Sequence, residues 1–390
     1  MQRRAAVLVG LGLACASVVL SSAAQADIRI GVTVSATGPQ ASLGLPEKNA
    51  IKLLPTEIAG QKVETIVLDD ASDTNRAVTN TRKLISESNV DLIIGSSTTP
   101  NTLAMIDVAA EGKTPVISLA SSARLIEPMD AQRRWIFKTP HSDSHMASLI
   151  AEHAAAHGVK TIAYIGFANA LGEAFLTEVQ RFADLKHIRI TDTERFSPTD
   201  NSVTAQVLHL LASKPDAVVI GGSGTPAALP ARALAERGYA GKIYFNHGVS
   251  NNEFVKLCGK DCDGAYVPTG PVMVANFLPD SDPVKKQALD FARRYEAKFG
   301  KNTVSIFSAY TGDIGLLLQR AVPVALKRAK PGTPEFRAAL RDALENVRDL
   351  PTSTGIVNMS RQDHVGLDQR ARVMAQIRNG QWRLADTTGK

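Results

Sequence analysis

From Asp27 onward, short runs of continuously apolar residues alternate with helix-like stretches, and this alternation admits few architectures. IRIGVTVS (28–35), KVETIVLDD (62–70), DLIIGS (91–96), PVISLAS (115–121) and WIFKT (135–139) each read as a strand, with helices expected around 45–59, from Asn75 onward and between the later strands. Strands without polar alternation are buried on both faces. With helices between them, that means a parallel sheet covered on two sides. A second series follows in KTIAYIGF (160–167), HIRITDTE (187–194), DAVVIGG (216–222) and KIYFNHG (242–248). The expected fold class is therefore α/β, two doubly wound parallel-sheet lobes. Residues 140–143 read as a first crossing between the lobes and GAYVPTGP (264–271) as a second, after which helices around 282–299 and 304–330 return to the first lobe. LPTSTG (350–355) makes a third, before two closing strands, GIVNMS and ARVMAQIRNGQWRL. The expected division is a leader over 1–26, a first lobe of 27–140 with 271–350, and a second lobe of 141–270 with 351–390. Three short extended connections between rigid lobes make a hinged clamp.

The leader follows from Arg3 and Arg4, an apolar run from Ala5 to about Leu20, and Ala24-Gln25-Ala26 in A-x-A form. This is a secretory signal with cleavage expected after Ala26, and it implies export to the periplasm. No later segment reaches the roughly 18 apolar residues of a membrane span. Cys15 invites a lipoprotein reading, but Gly12 stands where a bulky aliphatic residue is usual. The net charge of +6 is mild and carries no dense basic run, which argues against nucleic acid as a partner and suits the collection of anions. Cys258 and Cys262 in CGKDC make a poor zinc site without nearby histidines. In an oxidising compartment they are expected to close a small surface-loop disulfide.

The strongest functional signal lies in residues 95–122. Ser96, Ser97, Thr98 and Thr99 fall beside Ser121 and Ser122 at the carboxyl ends of neighbouring strands, where open α/β sheets place their ligands. Hydroxyls and helix-start N–H groups there form a neutral cradle for a small anion, above all a carboxylate. GGSGTPA (221–227) satisfies G-x-G-x-x-A, but the next strand ends without an acid to hold a ribose, so ligand contact from the second lobe or a tight turn is expected instead. His141 and His145, like His153 and His157, have zinc-compatible i, i+4 spacing yet lack a third ligand; solvated or helix-capping roles are expected. His247, at a strand's carboxyl end, either touches ligand or bonds to nearby backbone. Asp69 and Asp70 point to opposite faces and are expected to fix loops. Ser121 and Ser122 have no base at fixed spacing and no G-x-S-x-G elbow occurs, so neither catalysis, nor a metal, nor a cofactor is expected.

IRIGVTVSATGPQASLG, LDDASDTNRAV, DLIIGSSTTP, TPVISLASSA, IAYIGFANALGEAF and FNHGVSN, in this order and spacing, resemble the periplasmic substrate-binding proteins of the branched-chain amino-acid type across the whole mature chain. The resemblance implies a type I periplasmic binding fold, a monomeric Venus-flytrap clamp that delivers a small solute to the permease and ATPase subunits of an ABC transporter. It also implies that Thr98 and Thr99, with Ala120, Ser121 and Ser122, hold a ligand carboxylate. Where amino-acid binders commonly pair the ligand ammonium with an acid, this chain has His247. An unpaired buried ammonium costs on the order of several kcal/mol, whereas histidine suits an acceptor or a second anionic group. Leu43 and Leu171 replace lid aromatics, and Ser223 and Gly224 stand where a tyrosine is often found, leaving room for a bulkier body. The expected ligand is a carboxylate lacking an α-amino group, aromatic ahead of aliphatic, with Leu43 and Leu171 on its body and His247 at a distal polar group. The alternatives are a branched-chain amino-acid receptor and a sensory receptor reporting to a membrane partner; an exported enzyme is disfavoured.

Overall fold

The structure is a computed structural model and describes residues 27–386. The leader, Cys15 and the cleavage site after Ala26 lie outside the described residues. In chain order, β1 (Ile28–Val34), β2 (Glu57–Ile58), β3 (Gln61–Asp69), β4 (Leu92–Gly95), β5 (Val116–Ser118) and β6 (Ile136–Lys138) build a first sheet in the spatial order β2-β3-β1-β4-β5-β6. Its pairings are parallel except for the short β2–β3 ribbon. β7 (Thr161–Phe167), β8 (Arg189–Phe196), β9 (Ala217–Gly221), β10 (Lys242–Phe245) and β11 (Tyr266–Thr269) form the parallel part of a second sheet. β12 (Leu350–Pro351) and β13 (Ile356–Val357) pair only with each other, while β14 (Val373–Arg378) and β15 (Gln381–Leu384) extend the second sheet antiparallel from β11.

The continuous apolar strands are explained by their burial. Along β9, Val218 and Ile220 join Ile165, Phe167 and Phe245 on one face, and Ala217 and Val219 join Tyr164 and Tyr244 on the other. Successive side chains point to opposite faces, so each must be apolar when helices cover both. Fully burying one Val or Ile is worth roughly 1.5–3 kcal/mol. The first lobe has one contiguous core, from Ile28 in β1 to Ala371. Among the described residues no helix is long and apolar enough to cross a membrane.

Four expectations are corrected. The helix expected over 45–59 runs from Ala41 to Ile51, because Pro55 disfavours helix before it and Glu57–Ile58 pairs antiparallel with β3. Residues 351–371 do not join the second lobe: Val357, Met359, Val365, Leu367 and Ala371 pack into the first-lobe core. They cover the open edge of β6, where Lys138 N donates to the His364 carbonyl and the His364 ring stacks on Phe137 at 4.0 Å. The third correction concerns the histidines. His141 is fully buried and bonds the first crossing to the later ones: Nε2 lies 2.7 Å from the Ala371 carbonyl and 3.2 Å from that of Thr354, and Nδ1 lies 3.0 Å from the Tyr310 hydroxyl. Burial pushes its pKa down to about 3, so the ring is neutral, donating from Nε2 and accepting at Nδ1. His153 is buried against the Tyr244 hydroxyl, and His157 alone of that pair serves the helix end, bonding the His153 carbonyl.

Cys258 and Cys262 form a disulfide, buried in the second-lobe core rather than in a surface loop. Closing so short a loop restricts the unfolded chain by about 2 kcal/mol. A Cys258→Ala/Cys262→Ala variant should lose that amount in urea unfolding at neutral pH. An unchanged midpoint and slope would refute the contribution.

Candidate ligand-binding site

Both lobes present the carboxyl ends of their strands to one cavity of about 240 Å³. In the first lobe β4 ends at Gly95, whose φ of +121° and 1.8 Å approach of a would-be Cβ to the Thr33 carbonyl demand glycine. The loop then reaches Thr98, which takes the extended conformation before the helix Thr99–Glu111, with Pro100 in its first turn. The helix-start N–H groups and the 119–121 loop after β5 thus border the same space. In the second lobe, the Asn169 side chain accepts from Leu171 N at 3.0 Å and Gly172 N at 3.3 Å, capping the helix Ala170–Leu185 and setting Leu171 at the wall. β9 delivers Ser223, and β10 delivers Asn246, His247 and Gly248.

Leu43, Thr98, Thr99, Ala120, Ser121, Leu171, Ser223 and His247 all line the cavity; Ser122 and Gly224 do not. The Thr99 hydroxyl is buried without a hydrogen-bond partner among the described residues. Other hydroxyls of the expected cradle are already engaged. Ser96 donates to Asp70 at 2.6 Å, Ser97 accepts from Ser35 N and donates to Glu47, and Ser122 accepts from Arg124 N at 3.3 Å. Asp69 and Asp70 hold the neighbouring loops, Asp69 through Thr37 and Ala71, Asp70 through Ser35 and Ser72. Gly224 sits where the lobes meet. Its φ is +63°, a Cβ there would come within 2.7 Å of Ser42 Oγ, and around it Ser223 Oγ donates to Gln40 Oε1 at 2.6 Å and Thr225 N to Ser42 Oγ at 3.2 Å.

Among the described residues no acidic side chain lines the cavity. His247 is 2% exposed, and burial, reinforced by the Lys138 charge, holds its pKa well below the usual histidine range, so the ring is neutral. Behind Ser121 lies a charged pair that the sequence pattern does not single out. Lys138 is fully buried, its Nζ donating to the Ser121 carbonyl at 2.8 Å and the Pro140 carbonyl at 2.9 Å. Burial lowers its pKa to about 8 against the raising effect of Asp143. Burial likewise raises Asp143 to about 6, opposed by the Lys138 charge and by hydrogen bonds from Ser121 and Ser122. Gln40, Asn101, Asn246 and Tyr310 also line the cavity and escape a reading of hydroxyls and histidines. The signal for Asn246 was its place one residue before His247 at a strand end.

A family model described as periplasmic binding protein matches residues 27–381. The Leu/Ile/Val-binding protein BraC3 of Rhizobium johnstonii is 24% identical over 88% of this chain and 90% of its own length. An extracellular ligand-binding receptor from Rhodopseudomonas palustris HaA2 has 44% identity and a TM-score of 0.89, covering 93% of this chain and all, 100%, of its own. A solute-binding protein of an ABC transporter from Rhodopseudomonas palustris BisB5, in complex with 3,4-dihydroxybenzoic acid, shares the fold at 20% identity and a TM-score of 0.76, over 91% of this chain and 95% of its own. Two covered sheets facing one cavity, matched over nearly the whole described chain, place this protein in the periplasmic binding protein family, among the branched-chain amino-acid-type binding proteins.

Proposed function

We propose that this protein is the exported solute-binding component of an ATP-driven uptake system, freed of its leader after Ala26, and that it closes two lobes around an acid lacking an α-amino group, an aromatic acid ahead of an aliphatic one. The observation that carries this reading is the absence of any acidic side chain among the described residues lining the cavity. An α-ammonium enclosed there would face hydroxyls, amides and a neutral imidazole with no countercharge, at a cost on the order of several kcal/mol. A carboxylate meets the unpartnered Thr99 hydroxyl and the helix-start N–H groups. Leu43, Leu171, Phe167 and Phe307 supply apolar walls for a flat body. The fold neighbour that holds 3,4-dihydroxybenzoic acid supports the choice of an aromatic acid. The names of the Leu/Ile/Val-binding relatives favour a second reading, an amino-acid receptor.

A thermal-shift screen of the mature, ligand-stripped chain separates the two. Benzoates, aliphatic mono- and dicarboxylates, and branched-chain amino acids would be compared at equal concentration. A ligand at 100 times its dissociation constant adds about 2.7 kcal/mol of stability. Stabilisation by an amine-free acid and not by leucine is the expected result; stabilisation by leucine or valine alone sinks the proposal and restores the amino-acid receptor.

A further inference from the structure

Three carboxamides on the cavity wall share one pattern of pairing. Gln40, Asn101 and Asn246 are 5%, 1% and 0% exposed, and each lines the cavity. In each, the amide oxygen is already held by a protein donor. Gln40 Oε1 accepts from Ser223 Oγ at 2.6 Å, Asn101 Oδ1 from Thr74 Oγ1 at 3.1 Å, and Asn246 Oδ1 from Gly248 N at 2.6 Å. In each, the buried amide nitrogen has no partner among the described residues. The Asn246 orientation is fixed by chemistry, because a backbone N–H can only donate and so must meet the oxygen. Buried N–H groups left unpaired cost about 1–3 kcal/mol each, and three around one cavity are too many to leave unanswered.

We infer that these three amides are the specificity determinants of the site and select an acid that carries further acceptor oxygens on its body. The inference rests on the reading of the ligand as an amine-free acid. Asn101 stands in the first helical turn beside Thr99 and serves the carboxylate end. Gln40 and Asn246 gather at the end where the lobes meet, joined through Ser223, Gly224 and the Gly248 carbonyl, which accepts from Gly224 N at 2.8 Å. There they present N–H groups to a ligand ether, hydroxyl or keto oxygen. Gln40 belongs to the first lobe and takes its orientation from a second-lobe hydroxyl, so its donor is aimed only when the lobes have met. Oxygen on the ligand body and closure of the clamp are thereby coupled.

The test is isothermal titration of the mature chain with benzoate and its 3-methoxy and 4-methoxy derivatives, whose ether oxygen accepts and cannot donate, with leucine as the comparison. The variants Gln40→Glu, Asn101→Asp and Asn246→Asp keep the oxygen that Ser223, Thr74 or Gly248 holds and exchange the N–H₂ group for a carboxylate oxygen; the added negative charge weakens all the acids together, so the ratio of methoxybenzoate to benzoate affinity is the readout, and a retained cooperative thermal transition certifies each fold. The expected result is that one methoxybenzoate binds the parent chain about tenfold tighter than benzoate, the worth of one buried hydrogen bond. That advantage disappears in Gln40→Glu or Asn246→Asp and survives in Asn101→Asp, which weakens all three acids by the same factor. If the benzoates bind and no variant alters their relative affinities, the amides do not select and the inference fails while the amine-free reading stands. Binding of leucine with none of the benzoates overturns both.

Discussion

Replacing Lys138 by Met is expected to lower the unfolding free energy by roughly 3–5 kcal/mol at pH 8, because it removes one partner of a buried charged pair. The side chain is fully buried on β6, and its ammonium satisfies two carbonyls, those of Ser121 and Pro140. Its charge also opposes the burial that raises the carboxyl of Asp143 to about 6. Without the lysine that carboxyl rises further. A carboxyl whose folded pKa lies above its unfolded value contributes stability that is fully present below the unfolded value and is lost as pH rises through the folded one. The deficit of Lys138→Met against the parent should therefore be smaller at pH 5.5 than at pH 8. His153 is common to both chains and cancels in the difference, whereas His141 and His145 are held down in part by the Lys138 charge, and its removal relieves them, which shrinks the deficit at pH 5.5 in the same sense. Adding Asp143→Asn should restore part of the loss at pH 8 and little at pH 5.5, a coupling that a double-mutant cycle in urea reads directly. A deficit that is equal at both pH values and unmoved by Asp143→Asn would mean that Lys138 acts only through its two carbonyl bonds.

The two-lobed α/β fold was legible because strands buried on both faces leave a strong imprint: IIG in β4 and AVVIG in β9 are apolar at every position before the terminal glycine. Two-residue strands leave almost none, so β2 was read as a helix end, β12 as part of a crossing and β13 as part of a closing strand. The sorting of 351–371 depended on which core covers the edge of β6, a tertiary choice absent from local pattern. At the site, sequence placed hydroxyls at the right strand ends but could not tell free ones from engaged ones. Thr99 is free, whereas Ser97 and Ser122 are committed to neighbours in the fold. The carboxamides drew no attention for the same reason. Asn101 and Asn246 become informative only when their oxygens are seen to be held and their nitrogens to be left over. Lys138 in WIFKT gave no warning, since a strand-end lysine is ordinarily solvated.

His247→Glu is expected to weaken binding of the best amine-free acid at least 100-fold, which corresponds to about 3 kcal/mol. His247 lines the cavity, and burial keeps it neutral with Nδ1 free of any partner among the described residues. A neutral imidazole can meet a ligand oxygen as donor at no electrostatic cost. A glutamate in its place meets the same ligand with a second negative charge in a water-poor site, or takes up a proton to avoid doing so, and either response is charged against binding. His247→Gln separates charge from shape. It stays neutral and keeps an N–H donor, so its loss should remain within about tenfold. Both variants would be titrated calorimetrically with the acid that gives the largest thermal shift, and with leucine. Unchanged or improved affinity of His247→Glu for that acid would show that the pocket's polarity is the reverse of the one argued here. A gain for leucine in the glutamate variant alone would show instead that a single residue at the end of β10 decides between an acid and an amino acid.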